Sequence, residues 1–124
     1  MLAELRGDYG EAERLYRSSL EIDERLGDLA GMATTYSQLG NLMAVVESPV
    51  QAIACHIRAL AIRLRLQTPE AVNNLERLSE YRRLLGAESF VQAVQESVGT
   101  DDTRQLLDML DWYDEQQKDQ PSTA

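Results

Sequence analysis

A chain that repeats itself at an offset of about forty residues has few folds open to it, and residues 7–26 and 47–66 of this one do so. Ala12 falls on Ala52, Leu20 on Leu60, Ile22 on Ile62, Arg25 on Arg65 and Leu26 on Leu66, and further back Leu2 falls on Leu42. Small residues coincide at Ser19 and Ala59, rings at Tyr16 and His56. A unit of this length cannot bury an apolar face alone, so such units stack, and the stack offers surfaces rather than a catalytic cleft. The expected fold is all-α: about six antiparallel helices in a right-handed α-α superhelix.

The helices follow from spacing and punctuation. Residues 2–6 read as the end of a helix whose start is missing, so the chain reads as a piece of a longer protein beginning inside a repeat. A turn is expected at Gly7-Asp8, then a helix over 10–26 with Ala12, Leu15, Tyr16, Ser19, Leu20 and Leu26 inward and Arg14, Arg17, Glu21 and Glu24 outward. Gly27 suits a helix end and Asp28 the next cap. A second helix over 29–46 turns Met32, Tyr36, Leu39, Gly40 and Met43 inward. Ser48-Pro49 opens a third, to about residue 66, and Thr68-Pro69 opens a fourth carrying Val72, Leu75, Leu78 and Leu85 as far as Gly86. A fifth over roughly 88–98 carries Phe90, Val91, Val94 and Val98. Gly99 separates it from a sixth with Leu106, Leu107, Leu110 and Tyr113. The expected domain is 1–117, with 118–124 a disordered tail because the sequence turns polar from Gln116.

Charge narrows the partners. The formal net charge is -9, which opposes nonspecific binding to nucleic acid. Six arginines gather within residues 52–83 against Glu70, Glu76 and Glu80, so the middle of the chain is locally basic. The longest apolar run, residues 42–46, is far short of a membrane span. A single cysteine forms no internal disulfide and the first residues lack the blocks of a secretory signal, which fits a cytoplasmic setting.

No constellation points to catalysis. Cys55 and His56 are adjacent, but helix neighbours point about 100° apart and nothing orients the imidazole, so both read as packing residues. Asp108, Asp111 and Glu115 share a helix face, yet three exposed carboxylates build neither a calcium nor a magnesium cage. There is no phosphate-binding glycine loop, zinc spacing or serine motif. The expectation is a non-enzyme without cofactor or metal.

Tyr36, Leu39, Gly40 and Met43, followed by Ala52, His56 and Ala59, resemble the tetratricopeptide repeat signature, and Gly7-Asp8-Tyr9 with Ala12 and Tyr16 resembles the second half of a preceding unit. The period, with Leu20-Glu21-Ile22 before the next unit, is similar to the longer kinesin-light-chain-like variant. Met43 and His56 stand where the family usually has aromatics. The third unit (Leu75, Leu78, Ser79, Gly86) keeps only the periodicity and, with the acidic helix after it, looks like a capping end. The resemblance implies a protein-binding scaffold, often part of a larger bacterial regulatory protein. It also implies a concave face lined by Thr34, Ser37, Gln38 and Asn41 from one helix and Asn73, Glu76, Arg77, Glu80 and Arg83 from another. Amides and arginines in such lines suit a peptide backbone and an acidic or carboxylate-ended ligand.

A second reading comes from the repeat itself. The outward residues Arg14, Arg17, Glu21 and Glu24 become Ala54, Ile57, Ala61 and Leu64 forty residues on. An apolar stripe on a helix whose other face is committed to the stack marks an interface, here expected to pair two copies as a homodimer.

Overall fold

The computed structural model describes residues 2–47 and 49–118, with side-chain surroundings from Asp8 onward. These residues form six helices: α1 (Leu2–Leu26), α2 (Leu29–Val46), α3 (Pro49–Leu66), α4 (Ala71–Leu85), α5 (Ala87–Val98) and α6 (Thr100–Lys118). No strand occurs among the described residues, in keeping with an all-α helical repeat. The chain divides into two compact units, residues 1–74 and 75–124, and the division falls within α4.

In the first unit, α2 packs against both α1 and α3. Its core is Ala33, Leu39, Leu42 and Met43 of α2, Ala52, Ile53, Ala59 and Leu60 of α3, and Ala71. The crossing of α2 and α3 is close because Gly40 has no side chain: a Cβ there would lie 2.7 Å from Cδ2 of His56. The inward positions Ala52, His56, Ala59 and Leu60 on α3 are all buried, as their spacing requires.

Two corners of this unit share one design. After α1, the amide of Gly27 donates to the Glu24 carbonyl and that of Asp28 to the Asp23 carbonyl. After α3, Gln67 donates to Leu64 and Thr68 to Arg63 in the same pattern. Both are left-handed helix ends of the Schellman type. The φ angles are +70° at Gly27 and +58° at Gln67. Asp28 then accepts from the Gly31 amide at 2.9 Å and caps α2.

Three expectations need correction. There is no turn at Gly7-Asp8: α1 runs through it unbroken. Glycine permits a turn without compelling one, and with no proline there to remove a donor, the flanking helix formers carry the helix across at about 1 kcal/mol per glycine. Leu15, Ser19 and Leu26, expected inward, are exposed, Leu15 by 51% and Leu26 by 74%. Among the described residues α1 packs chiefly on α2, with Ala12, Tyr16 and Leu20 half-buried while the adjoining face stays open. Val72 is likewise exposed. The fourth helix begins at Ala71, after a tighter turn in which Ala71, Val72 and Asn73 donate to the carbonyls of Thr68, Pro69 and Glu70. The cap expected at Ser48 lies outside the described residues. So does the expected tail beyond Lys118, while residues 116–118 continue α6.

In the second unit, α5 packs on α6. The core is Leu75, Leu78 and Tyr81 of α4, Phe90, Ala93 and Val94 of α5, and Leu106, Leu110 and Tyr113 of α6. The stripes expected on α5 and α6 supply most of it. No helix among the described residues is long and apolar enough to cross a membrane.

Candidate interaction surfaces

The polar residues of α2 fall into two groups. Thr34, Gln38 and Asn41 are exposed, at spacings of four and three that align them along one face. Ser37 is half-buried and already engaged, its hydroxyl accepting a hydrogen bond from Nδ2 of Asn74 at 2.9 Å.

Asn74 is buried and joins three helices. Its Oδ1 accepts from Nη1 of Arg63 at 2.9 Å, and its Nδ2 lies 3.1 Å from Nδ1 of His56 as well as on Ser37. Arginine can only donate, so the amide oxygen must face Arg63 and the amide nitrogen must face the other two. Nδ1 of His56 is then the acceptor. Arg63 also donates to the carbonyl of Glu70 at 3.4 Å. Neither Arg63 nor Asn74 was singled out by sequence reasoning. The one available signal was an amide next to Leu75 and Leu78, in the apolar stripe of α4.

Beside this joint lies a cleft of about 280 Å³ lined by Ala30, Ala33 and Thr34 of α2, Arg63 and Leu66 of α3, and Thr68 and Glu70 of the following turn. Asn73, expected on the binding face, is exposed in the same unit.

The remaining members of the expected face belong to the second unit. Glu76 and Arg77 are exposed, and Arg77 pairs with Glu80 one turn on at 3.6 Å. Arg83 is exposed but not idle: its Nη1 donates to Ser79 Oγ at 2.9 Å and lies 3.9 Å from Asp114. Next to it, Arg82 bridges Asp111 at 2.9 Å and Asp114 at 2.7 Å, while the buried Ser79 hydroxyl donates to Asp114. Burial alone would raise the Asp114 carboxyl. The Ser79 hydroxyl and Arg82, with Arg83 behind them, outweigh it and hold the group below the usual carboxylate range.

Of the apolar stripe on α3, Ala54 and Ile57 are half-buried, Ala61 is exposed and Leu64 is 44% exposed. Arg58, beside Ile57, stacks over the Tyr36 ring at 5.7 Å from its centroid. Burial pushes the Cys55 thiol up, against the pull of Arg58 and Arg17, which leaves it a poor nucleophile. His56, for its part, meets Asn74 through Nδ1. Of the acidic trio on α6, Asp111 is taken by Arg82 and Glu115 pairs with Lys118 at 3.4 Å. No cluster of three or more potential metal ligands occurs among the described residues.

Comparison with curated proteins and with solved structures gave no match. The family model of the tetratricopeptide repeat matches residues 1–65, more than half of the chain. Its matched stretch covers the first aligned segment, all but the last residue of the second, the Gly40–His56 crossing and most of the first unit. The chain belongs to the tetratricopeptide repeat family, whose members are generally protein–protein interaction scaffolds and typically not catalytic.

Proposed function

We propose that this chain is a non-catalytic module that holds an extended peptide or protein segment, acidic or carboxylate-ended, as part of a larger bacterial regulatory protein in the cytoplasm. The observation that carries this reading is the exposed row Thr34, Gln38 and Asn41 on α2. Side-chain amides at consecutive turns can each bond a peptide group of an extended strand. In the second unit Arg77 and Arg83 supply positive charge beside Glu76 and Glu80. Binding therefore weakens with salt. Isothermal titration against acidic peptides tests it: Arg77→Ala and Arg83→Ala each lower affinity about tenfold, the size of a charge-assisted bond. Unchanged binding by the double variant removes the arginines of the second unit from ligand binding, and unchanged binding by Gln38→Ala with Asn41→Ala removes the row on α2.

A second reading is self-association through Ala54, Ile57, Ala61 and Leu64, favoured by the exposure of Leu64 on a helix with charge at the equivalent position forty residues earlier. It requires a dimer in light scattering that Ile57→Glu with Leu64→Glu converts to a helical monomer. A monomeric parent chain at tens of micromolar ends it.

A further inference from the structure

We propose that α1 pairs with the α1 of a second copy of this chain, antiparallel about a two-fold axis at Ser18. This goes beyond the peptide-binding reading, and it uses a different helix from the self-association through α3.

The face of α1 left open beside α2 is apolar: Leu15, Ile22 and Leu26 recur at spacings of seven and four, and each is more than half exposed. The repeat shows what such a face takes. Forty residues on, Leu15 becomes Cys55 and Ser19 becomes Ala59. Ala59 is buried, and a Cβ at Gly40 would lie 3.2 Å from the Cys55 Cβ, so on α3 this face is covered by α2. On α1 the described residues leave it bare, and a closely crossing helix would cover it.

Charge identifies that helix. Beside the apolar stripe runs an exposed row of Glu11, Arg14, Ser18, Glu21 and Arg25. Read forward the signs run minus, plus, neutral, minus, plus, and read backward every sign is reversed. Two such rows laid antiparallel, Ser18 opposite Ser18, set Glu11 against Arg25 of the second copy and Arg14 against its Glu21. A parallel pair in register would oppose like charges at all four positions. The pairs made along the helix, Arg14 with Glu11 and Arg25 with Glu21 at 3.9 Å, are exposed and can be shared across the axis. Across the axis Leu15, three residues before Ser18, meets Ile22, four residues after it, and the small serine at the crossing lets the helices come close. The equivalent row on α3 is Gln51, Ala54, Arg58, Ala61 and Arg65, which has no carboxylate, so the alternation belongs to α1 and not to the repeat.

The test is light scattering and sedimentation velocity on the full chain up to about 200 µM, with Glu11→Arg and Arg25→Glu made singly. The parent is expected to be a dimer. Each variant sets two like-charge contacts in every homodimer, so its dimer dissociation constant is expected to rise about tenfold with helicity unchanged. An equimolar mixture of the two variants is expected to restore the parent's association, because in the mixed pair these contacts again join opposite charges. Mixing cannot repair a weakened helix within one chain, so recovery belongs to the axis alone. A parent chain that stays monomeric overturns the proposal, as does a mixture that associates no better than either variant. A dimer untouched by both reversals overturns the α1 axis as well, and if Ile57→Glu with Leu64→Glu then breaks that dimer, the α3 reading stands in its place.

Discussion

The chain ties its helices with two polar joints of different chemistry. The first, in residues 1–74, centres on Asn74, an amide that accepts from Arg63 and donates to Ser37 and His56. The second, in residues 75–124, centres on Asp114, a carboxylate that gathers Ser79, Arg82 and Arg83. The amide joint has a buried centre, Asn74 with His56, and contains no carboxylate, so it is sensitive to shape. The carboxylate joint is partly open to solvent and sensitive to charge. Geometry should therefore break the first joint, and pH the second.

The largest effect is expected from Asn74→Ala. It removes all three bonds at once and leaves the Ser37 hydroxyl, the His56 ring nitrogen and a half-buried guanidinium to find other partners. About 3 kcal/mol of stability should go, at the upper end for a lost hydrogen-bonded group with one charged partner. Hydrogen exchange read residue by residue checks this, with protection falling across α2 and α3. A loss below about 1 kcal/mol would reduce Asn74 to a spectator.

Next comes Gly40→Ala. Its new methyl would stand 2.7 Å from Cδ2 and 2.8 Å from Nε2 of His56, so either the ring moves off Asn74 or α2 moves off α3. Overpacking of this kind costs about 1–3 kcal/mol. In a double-mutant cycle with His56→Ala, the two losses should fall well short of additive, since the small side chain at 56 leaves room for the methyl. Strict additivity would show that the crossing is held apart by something else.

A smaller effect, with opposite signs at equivalent places, is expected at the two helix ends. Gly27→Ala puts a side chain on a left-handed residue and should cost about 1 kcal/mol, whereas Gln67→Gly relieves that same strain and should gain a comparable amount. Thermal melts of the two variants check this. Arg63 is in the last turn of the helix that Gln67 closes, so Gln67→Gly also shows whether strain there matters to the first joint.

How much of this was legible in the sequence follows the same divide. Regular spacing and corner residues located the six helices, because helix period and proline placement are local properties. The Gly7-Asp8 turn failed for the converse reason: a local signal that only permits a turn does not place a partner helix beside it. Period alone turns Leu15, Ser19 and Leu26 inward, and period cannot say which of two adjoining faces finds a neighbour. Asn74, Arg63, Ser37 and His56 come from three helices separated by up to 37 residues, and no spacing rule links them. Thr34, Gln38 and Asn41 were found at exposed positions because outward spacing on one helix is enough to place them.

The smallest effect is the most specific to the second joint. The folded protein holds the Asp114 carboxyl below its usual range, since the Ser79 and Arg82 bonds outweigh the opposing effect of burial. The folded state therefore binds this proton less readily than the unfolded chain. Asp114 then contributes stability that is present above the unfolded carboxylate pKa and is lost as pH falls through the lower, folded value. Its side chain is 31% exposed, so screening limits the contribution to about 1 kcal/mol or less. Asp114→Asn should lower stability slightly at pH 7 and, relative to the parent chain, flatten its dependence on pH through the acid range. Trp112 and Tyr113 on the same helix offer fluorescence readouts for urea unfolding at pH 7 and pH 3. Comparison with Gly27→Ala, which touches no titratable group and whose deficit should be much the same at both pH values, separates the loss of this carboxylate from a general loss of stability. Equal pH dependence in the parent and Asp114→Asn chains would move the acid sensitivity of the second unit to some other carboxylate.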